Sequence, residues 1–179
     1  MSLRLACPSC GAEHLLHNPG ITVIVCDNCD TTLYHEEGVL SAGKKSIVSE
    51  PMSNLAVGST GRVGDRTVSL IGRIRFQGRD STWDEWFGTD EKGREVWLTE
   101  DEKNYTLERA LPQPLPGAHP TLPIGHTLTL ASRRYQIDER GEARCLGGEG
   151  QLPRPIRPGE TYRFLDATEV NGSTQLGIE

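Results

Sequence analysis

Hydrophobic and polar residues alternate most regularly along residues 66–87, RTVSLIGRIRFQGRDSTWDEWF. Val68, Leu70, Ile74 and Phe76 share one parity, and Thr67, Ser69, Arg73 and Arg75 share the other. A period of two predicts a strand with one face in a core and one in water, with Arg73 and Arg75 on the wet face. Ile71 interrupts the alternation, and Gly72 marks a bulge or a close backbone approach. Gln77-Gly78-Arg79-Asp80 supplies a turn. The chain returns with Trp83, Glu85 and Phe87 pointing one way and Asp84 and Trp86 the other. This hairpin is the expected centre of the main domain.

Further strands are expected at Glu95–Thr99, where Val96 and Leu98 share a face, and around Tyr105 and Leu107. Pro112, Pro114, Pro116, Pro120 and Pro123 predict an extended connection over 110–124. Tyr135 and Ile137 then alternate with Gln136 and Asp138, and Gly147-Gly148-Glu149-Gly150 reads as a flexible bend. Tyr162 with Phe164 and Leu176 with Ile178 mark the last two strands, joined through Asn171-Gly172. At one fixed offset Gly58 meets Gly125, Arg66 meets Arg133, Arg73 meets Arg140, and Val63, Val68 and Leu70 meet Leu130, Tyr135 and Ile137, a weak internal duplication. No stretch reads as an amphipathic helix. The fold class is therefore all-β, with residues 54–179 forming a barrel-like pair or rolled sandwich in two similar halves, about 54–110 and 122–179.

The first 37 residues carry a different signal. Cys7 and Cys10 form one CxxC pair and Cys26 and Cys29 another, fifteen residues apart. This spacing predicts two knuckles holding one metal through four thiolates, the pattern of a small zinc ribbon. Gly11 follows the first knuckle, where positive φ is needed. Asp30 takes that place in the second, a residue type that visits the left-handed region. Ile21–Val25 should enter the second knuckle as a strand, and Leu33 and Tyr34 leave it. Zinc is the expected ion, and iron uses the same four sulfurs. Four protein ligands leave no open position, so the site reads as structural. His14, His17 and His35 are expected at the surface or beside the thiolates rather than as ligands. Residues 38–53 read as a linker with a short strand at Ser46–Val48.

Composition narrows the functional classes. The 179 residues carry a formal net charge of −6, and residues 1–37 hold Arg4 against Glu13, Asp27, Asp30, Glu36 and Glu37. That balance opposes direct nucleic-acid binding, which needs cations along the phosphates. No run reaches the ~18 apolar residues of a membrane span, and the N-terminus shows no signal peptide. Four of five cysteines in CxxC pairs fit a reducing, cytoplasmic setting.

The segments Gly72–Phe76, Trp83-Asp84-Glu85-Trp86-Phe87 and Glu95-Val96-Trp97-Leu98 resemble the first half of the bacterial domain-of-unknown-function 4178 family. Tyr135–Arg144, Glu149-Gly150-Gln151-Leu152-Pro153, Gly159-Glu160 and Gly177-Ile178-Glu179 resemble its second half. Gln151 departs from the acidic residue the family more often shows there. The resemblance covers about residues 55–179. It implies a cytoplasmic bacterial protein of a kind often encoded near membrane-stress, ion-channel-like or polyamine-synthesis genes, and it brings no catalytic activity.

Trp83, Glu85, Trp86 and Trp97, with Arg73 and Arg75 nearby, are the candidate surface for a partner or ligand. The first expectation is a non-enzymatic accessory or adaptor protein whose β domain binds a protein partner, one associated with a membrane system. The alternative is a domain that binds a small polar ligand such as a polyamine, or an uncharacterised enzyme, using a cleft between the halves. Cys145 lacks the neighbours of a nucleophile and reads as buried and inert.

Overall fold

Strands build all the regular structure in the computed structural model, which describes residues 3–178 other than 17, 52, 103, 109, 110 and 112–114. Of the residues singled out above, His17, Pro112, Pro114 and Glu179 lie outside those described. The N-terminal strands are β1 (Leu3–Ala6), β2 (Glu13–Leu16), β3 (Val23–Val25), β4 (Thr31–Glu36) and β5 (Val39–Lys45). Then come β6 (Thr60–Val63), β7 (Arg66–Gln77), β8 (Thr82–Asp90), β9 (Glu95–Asp101) and β10 (Asn104–Glu108). The last four are β11 (Thr127–Leu130), β12 (Arg133–Leu152), β13 (Thr161–Glu169) and β14 (Gln175–Ile178).

The strands β1 and β2 pair alone, and the rest join one sheet whose path runs β10-β9-β8-β7-β12-β3-β4-β5. That path has two ends, so the sheet does not close into a barrel. Strand β12 is the hub. Its first part pairs with β11 and β13, and its last residues lie between β7 and β3. The ribbon strands β3 and β4 are thus continuous with the sheet of the main domain. Strand β5 and a docked segment after it occupy the stretch expected as a linker. Ser46 Oγ exchanges hydrogen bonds of 2.7 Å with the Gly148 backbone.

The four glycine-rich residues 147–150 are strand rather than a bend, with a register shift between Cys145 and Gly147. Close approach explains the composition. A Cβ on Gly150, whose φ is +73°, would lie 2.3 Å from Ile71 O, and one on Gly72 would lie 2.2 Å from Gln151 O. The glycines let β7 and β12 meet where a side chain would force them apart. The described part of the proline-rich connection is a packed pair of turns. Ala118 N donates to Leu115 O and Leu122 N to His119 O, each at 3.0 Å, and Leu115, Ala118 and Leu122 pack on the second-half core.

The two halves repeat each other in hydrogen-bond detail. Gly58 N donates to Leu70 O at 2.8 Å and Leu70 N to Ser59 O at 2.8 Å; at the same offset Gly125 N donates to Ile137 O at 2.7 Å and Ile137 N to His126 O at 2.9 Å. The bulge between Leu70 and Gly72 against β8 recurs between Ile137 and Glu139 against β13. The cores correspond as well. Val68, Leu70, Trp86, Val96 and Leu98, with Leu55 and Val63, occupy the places of Tyr135, Ile137, Leu165, Leu176 and Ile178, with Leu122 and Leu130. Arg140 reaches the carbonyls of Thr121 and Leu122 as Arg73 reaches that of Ser49.

Gly150→Ala tests the close approach. Strained φ and a backbone clash together should cost at least about 3 kcal/mol in urea unfolding. Gly61→Ala, with nothing within 4 Å of its Cβ, should stay within about 1 kcal/mol of wild type.

Candidate metal centre and the faces of the central hairpin

The two knuckles sit at the tips of β1-β2 and β3-β4 and share one geometry. Gly11 N donates to Cys7 O at 2.8 Å and Asp30 N to Cys26 O at 2.8 Å. Gly11 has φ +80° and Asp30 φ +59°, so the aspartate fills the left-handed position expected of it. Cys7, Cys10, Cys26 and Cys29 bring their sulfurs within 4.8 Å of one another. Cys7 and Cys29 Sγ lie 3.8 Å apart, and Cys10 and Cys26 Sγ 3.6 Å. A tetrahedron with metal–sulfur bonds of ~2.3 Å has edges of ~3.8 Å. The separations are too long for a disulfide and match that edge. These four residues fit a tetrathiolate metal site.

The electrostatics favour the same use. The Ala12 backbone N–H and then the Asn28 side chain hold the Cys10 thiol down at about 6. Burial pushes the Cys26 thiol up to about 12, against the N–H groups of Asn28 and Cys29 aimed at its sulfur. A divalent cation supplies the charge that a buried thiolate needs. His35, on β4, has its Nδ1 2.9 Å from Ile21 O and belongs to no possible metal-ligand group among the described residues.

The central hairpin divides the six other candidate residues between two faces. The bulge at Ile71 reverses the parity of β7. Val68 and Leu70 face Trp86, Val96 and Leu98, whereas Ile74 and Phe76 join the other core. Arg73 and Arg75 therefore lie on the Trp86 face, at 1% and 5% exposure, and not in water. Trp86 is fully buried, with the Arg73 guanidinium 5.3 Å from its ring centroid. These three have no surface to offer a partner.

They belong to an internal ionic cluster. Arg75 grips buried Asp84 in bidentate fashion, Nε to Oδ1 at 2.8 Å and Nη2 to Oδ2 at 2.5 Å. Arg73 Nε lies 2.7 Å from Glu149 Oε1 and Nη1 3.5 Å from Asp84 Oδ2, both off the line of a hydrogen bond. The segment after β5 covers the cluster. Ser49 O accepts from Arg73 at 2.9 Å and Arg75 at 3.3 Å, and Ser53 Oγ donates to Glu100 Oε2 at 3.1 Å. Glu100 also accepts from Trp86 Nε1 at 2.9 Å.

Trp83, Glu85 and Trp97 lie half-buried on the opposite face. Trp97 packs on Phe87 at 5.1 Å between centroids, in register. Glu85 accepts from Trp83 Nε1 at 3.2 Å and pairs with Arg154, whose guanidinium lies 4.9 Å from the Trp97 ring centroid. Trp83 meets Phe164 of β13 edge-on at 5.8 Å. This face is the seam between the halves.

A family model described as a domain of unknown function, DUF4178, matches residues 56–179. The chain belongs to the DUF4178 family. No curated protein and no solved structure matches it.

Carboxylates gather at the seam of the DUF4178 domain. Burial pushes the Asp166 carboxyl up to about 6, reinforced by the charges of Glu139, Glu108, Asp138 and Glu85. Burial also raises Glu85, against the pull of Arg154 and the Trp83 N–H. Sequence reasoning singled out Glu85 but missed Asp166, Glu108 and Arg154. Asp166 occupies the repeat position of Phe87 in the strand register, a match that the fixed sequence offset does not reach. No helix among the described residues is long and apolar enough to cross a membrane.

The metal centre makes a direct prediction. Protein refolded with zinc should hold one ion per chain with four sulfur ligands by X-ray absorption. Cys26→Ser should lower its affinity at least about 10-fold and loosen the ribbon, because metal binding is folding energy there.

Proposed function

We propose that the chain is a non-enzymatic ligand-binding protein in which a structural zinc ion fastens the N-terminal ribbon to the DUF4178 domain, and that the seam between the two halves takes a small organic polycation. The metal part is supported by the four sulfurs at tetrahedral-edge spacing. A closed thiolate set leaves no position for water or substrate, which argues for a structural ion rather than a reacting one.

The observation that carries the ligand reading is Asp166. It is half-buried, and the charges acting most strongly on it are the four other carboxylates. Glu85 accepts from Trp83 Nε1 and Glu108 stands opposite Trp97 in register, so negative charge lies beside these rings. Spaced ammonium groups satisfy such carboxylates, and the methylene chain between them suits aromatic walls. A polyamine has both features.

A protein-partner reading keeps narrower support. It rests on edge strand β10, where all five residues are exposed, Tyr105 at 49% and Leu107 at 36%. A partner strand could extend the sheet there.

Titration with spermidine at pH 7 tests the ligand reading. Wild type should show saturable binding, and Asp166→Asn should weaken it about 10-fold, the worth of one ~1.4 kcal/mol contact. The pH sign runs with it. Asp166 has a folded value of about 6 against an ordinary 3.8, so the folded state binds more protons between these values and gains stability as pH falls through them. Without ligand, Asp166→Asn should melt higher than wild type at pH 7, with the advantage gone near pH 4. Binding that is absent, or unchanged in Asp166→Asn, would count against the seam.

A further inference from the structure

Beside the metal centre stands a group that no contact described above uses. His14 on β2 is only 8% exposed, and its Nε2 is sealed from solvent with no hydrogen-bond partner among the described residues. A ring nitrogen of His14, Cys26 Sγ and a carboxylate oxygen of Asp27 lie within 4.8 Å of one another. A buried polar atom left without a partner is destabilising, so a strand residue held in this position calls for a use.

Direct ligation is the weaker use. The four sulfurs already stand at tetrahedral-edge spacing, and a four-coordinate structural site has no room for a fifth donor. A second ion sharing Cys26 would need Asp27, which is exposed and reaches into water. Donation to sulfur is the stronger use. Four thiolates around a divalent cation carry a surplus of two negative charges, and N–H groups aimed at the sulfurs disperse it. Cys26 is fully buried and so depends on protein donors alone. Asn28 and Cys29 supply two from the backbone. Cys29 Sγ has the Thr31 hydroxyl at 3.2 Å.

We propose that His14 is a positioning residue of the metal centre, its Nε2–H donating to the Cys26 thiolate when the ion is bound. The bond fixes the ring in the Nε2-protonated tautomer, joins β2 to the second knuckle, and lowers the electron density on the most enclosed sulfur. A thiolate so held gives up its ion less readily and reacts more slowly with electrophiles.

Cobalt(II) substitution and zinc competition test this in the full chain, with three proteins compared. His14→Phe removes the donor and keeps a ring. His14→Gln offers an N–H at a similar reach. In His14→Phe the sulfur-to-cobalt charge-transfer band should move to lower energy, because an unbonded thiolate is easier to oxidise. Zinc affinity should fall about 10–100-fold, the usual effect of losing an outer partner. His14→Gln should restore most of both. X-ray absorption should find four sulfurs in wild type and variants alike. Wild type loaded with spin-½ cadmium adds a reading that needs no variant to fold, a scalar coupling between the metal and the His14 ring proton.

Three results would overturn the assignment. One is a site of three sulfurs and one nitrogen that loses the nitrogen in His14→Phe. Another is two ions per chain, one of them lost with His14. The last is a His14→Phe protein whose band and affinity match wild type. The inference rests on the tetrathiolate reading, and the same data separate the two. Wild type without a four-sulfur ion defeats that reading, whereas a four-sulfur ion indifferent to His14 defeats only this one.

Discussion

The close approach of β7 and β12 is the constraint on which the rest of the structure depends. Strand β12 holds β11 and β13 along its first part, then passes between β7 and β3. Its glycines make that passage possible, since a Cβ on Gly148 would stand 2.6 Å from Arg73 O and one on Gly150 2.3 Å from Ile71 O. First half, second half and ribbon meet on one strand. The ribbon is fastened there by backbone and side chain together. Thr22 N donates to Leu152 O at 3.0 Å, Gln151 Nε2 to Leu15 O at 2.8 Å, and Tyr34 OH to Ile156 O at 3.1 Å. A ribbon too small for a core of its own gains one from this strand.

The repeated halves show how one backbone plan accepts two chemistries. In the second half, Leu115, Ala118 and Leu122 cover an apolar core. In the first half, Ser49 and Ser53 cap Arg73, Arg75 and Glu100. The ionic version costs desolvation that the apolar version avoids. It makes the register of the covering segment specific, because two guanidinium groups converge on the Ser49 carbonyl. At the seam the exchange runs differently. Phe87 is buried in one half, and its repeat partner Asp166 is a half-buried carboxyl among other carboxylates in the other.

Much of this was legible in the sequence. Period-two alternation gave the central strands, the CxxC spacing gave the cluster of four cysteines, and Gly72 gave the bulge. The consequence of that bulge was not legible. One inserted residue moves every later side chain of β7 to the opposite face, which is why Arg73 and Arg75 look solvated in the pattern and are buried in the fold. The role of Gly147–Gly150 was hidden for a related reason. Glycines that permit close packing and glycines that permit bending are the same letters, and only the partner strand tells them apart. Arg154 comes to the seam from a distant part of the chain, so no local pattern could place it beside Trp97.

The most direct test of the account is hydrogen exchange by mass spectrometry on zinc-loaded and zinc-stripped protein. If the metal fastens the ribbon onto the last residues of β12, stripping should speed exchange in β1–β4 and in residues 148–152. Protection in residues 133–144 and in β13 should remain. Uniform loss of protection along the chain, or no change in the ribbon, would contradict it.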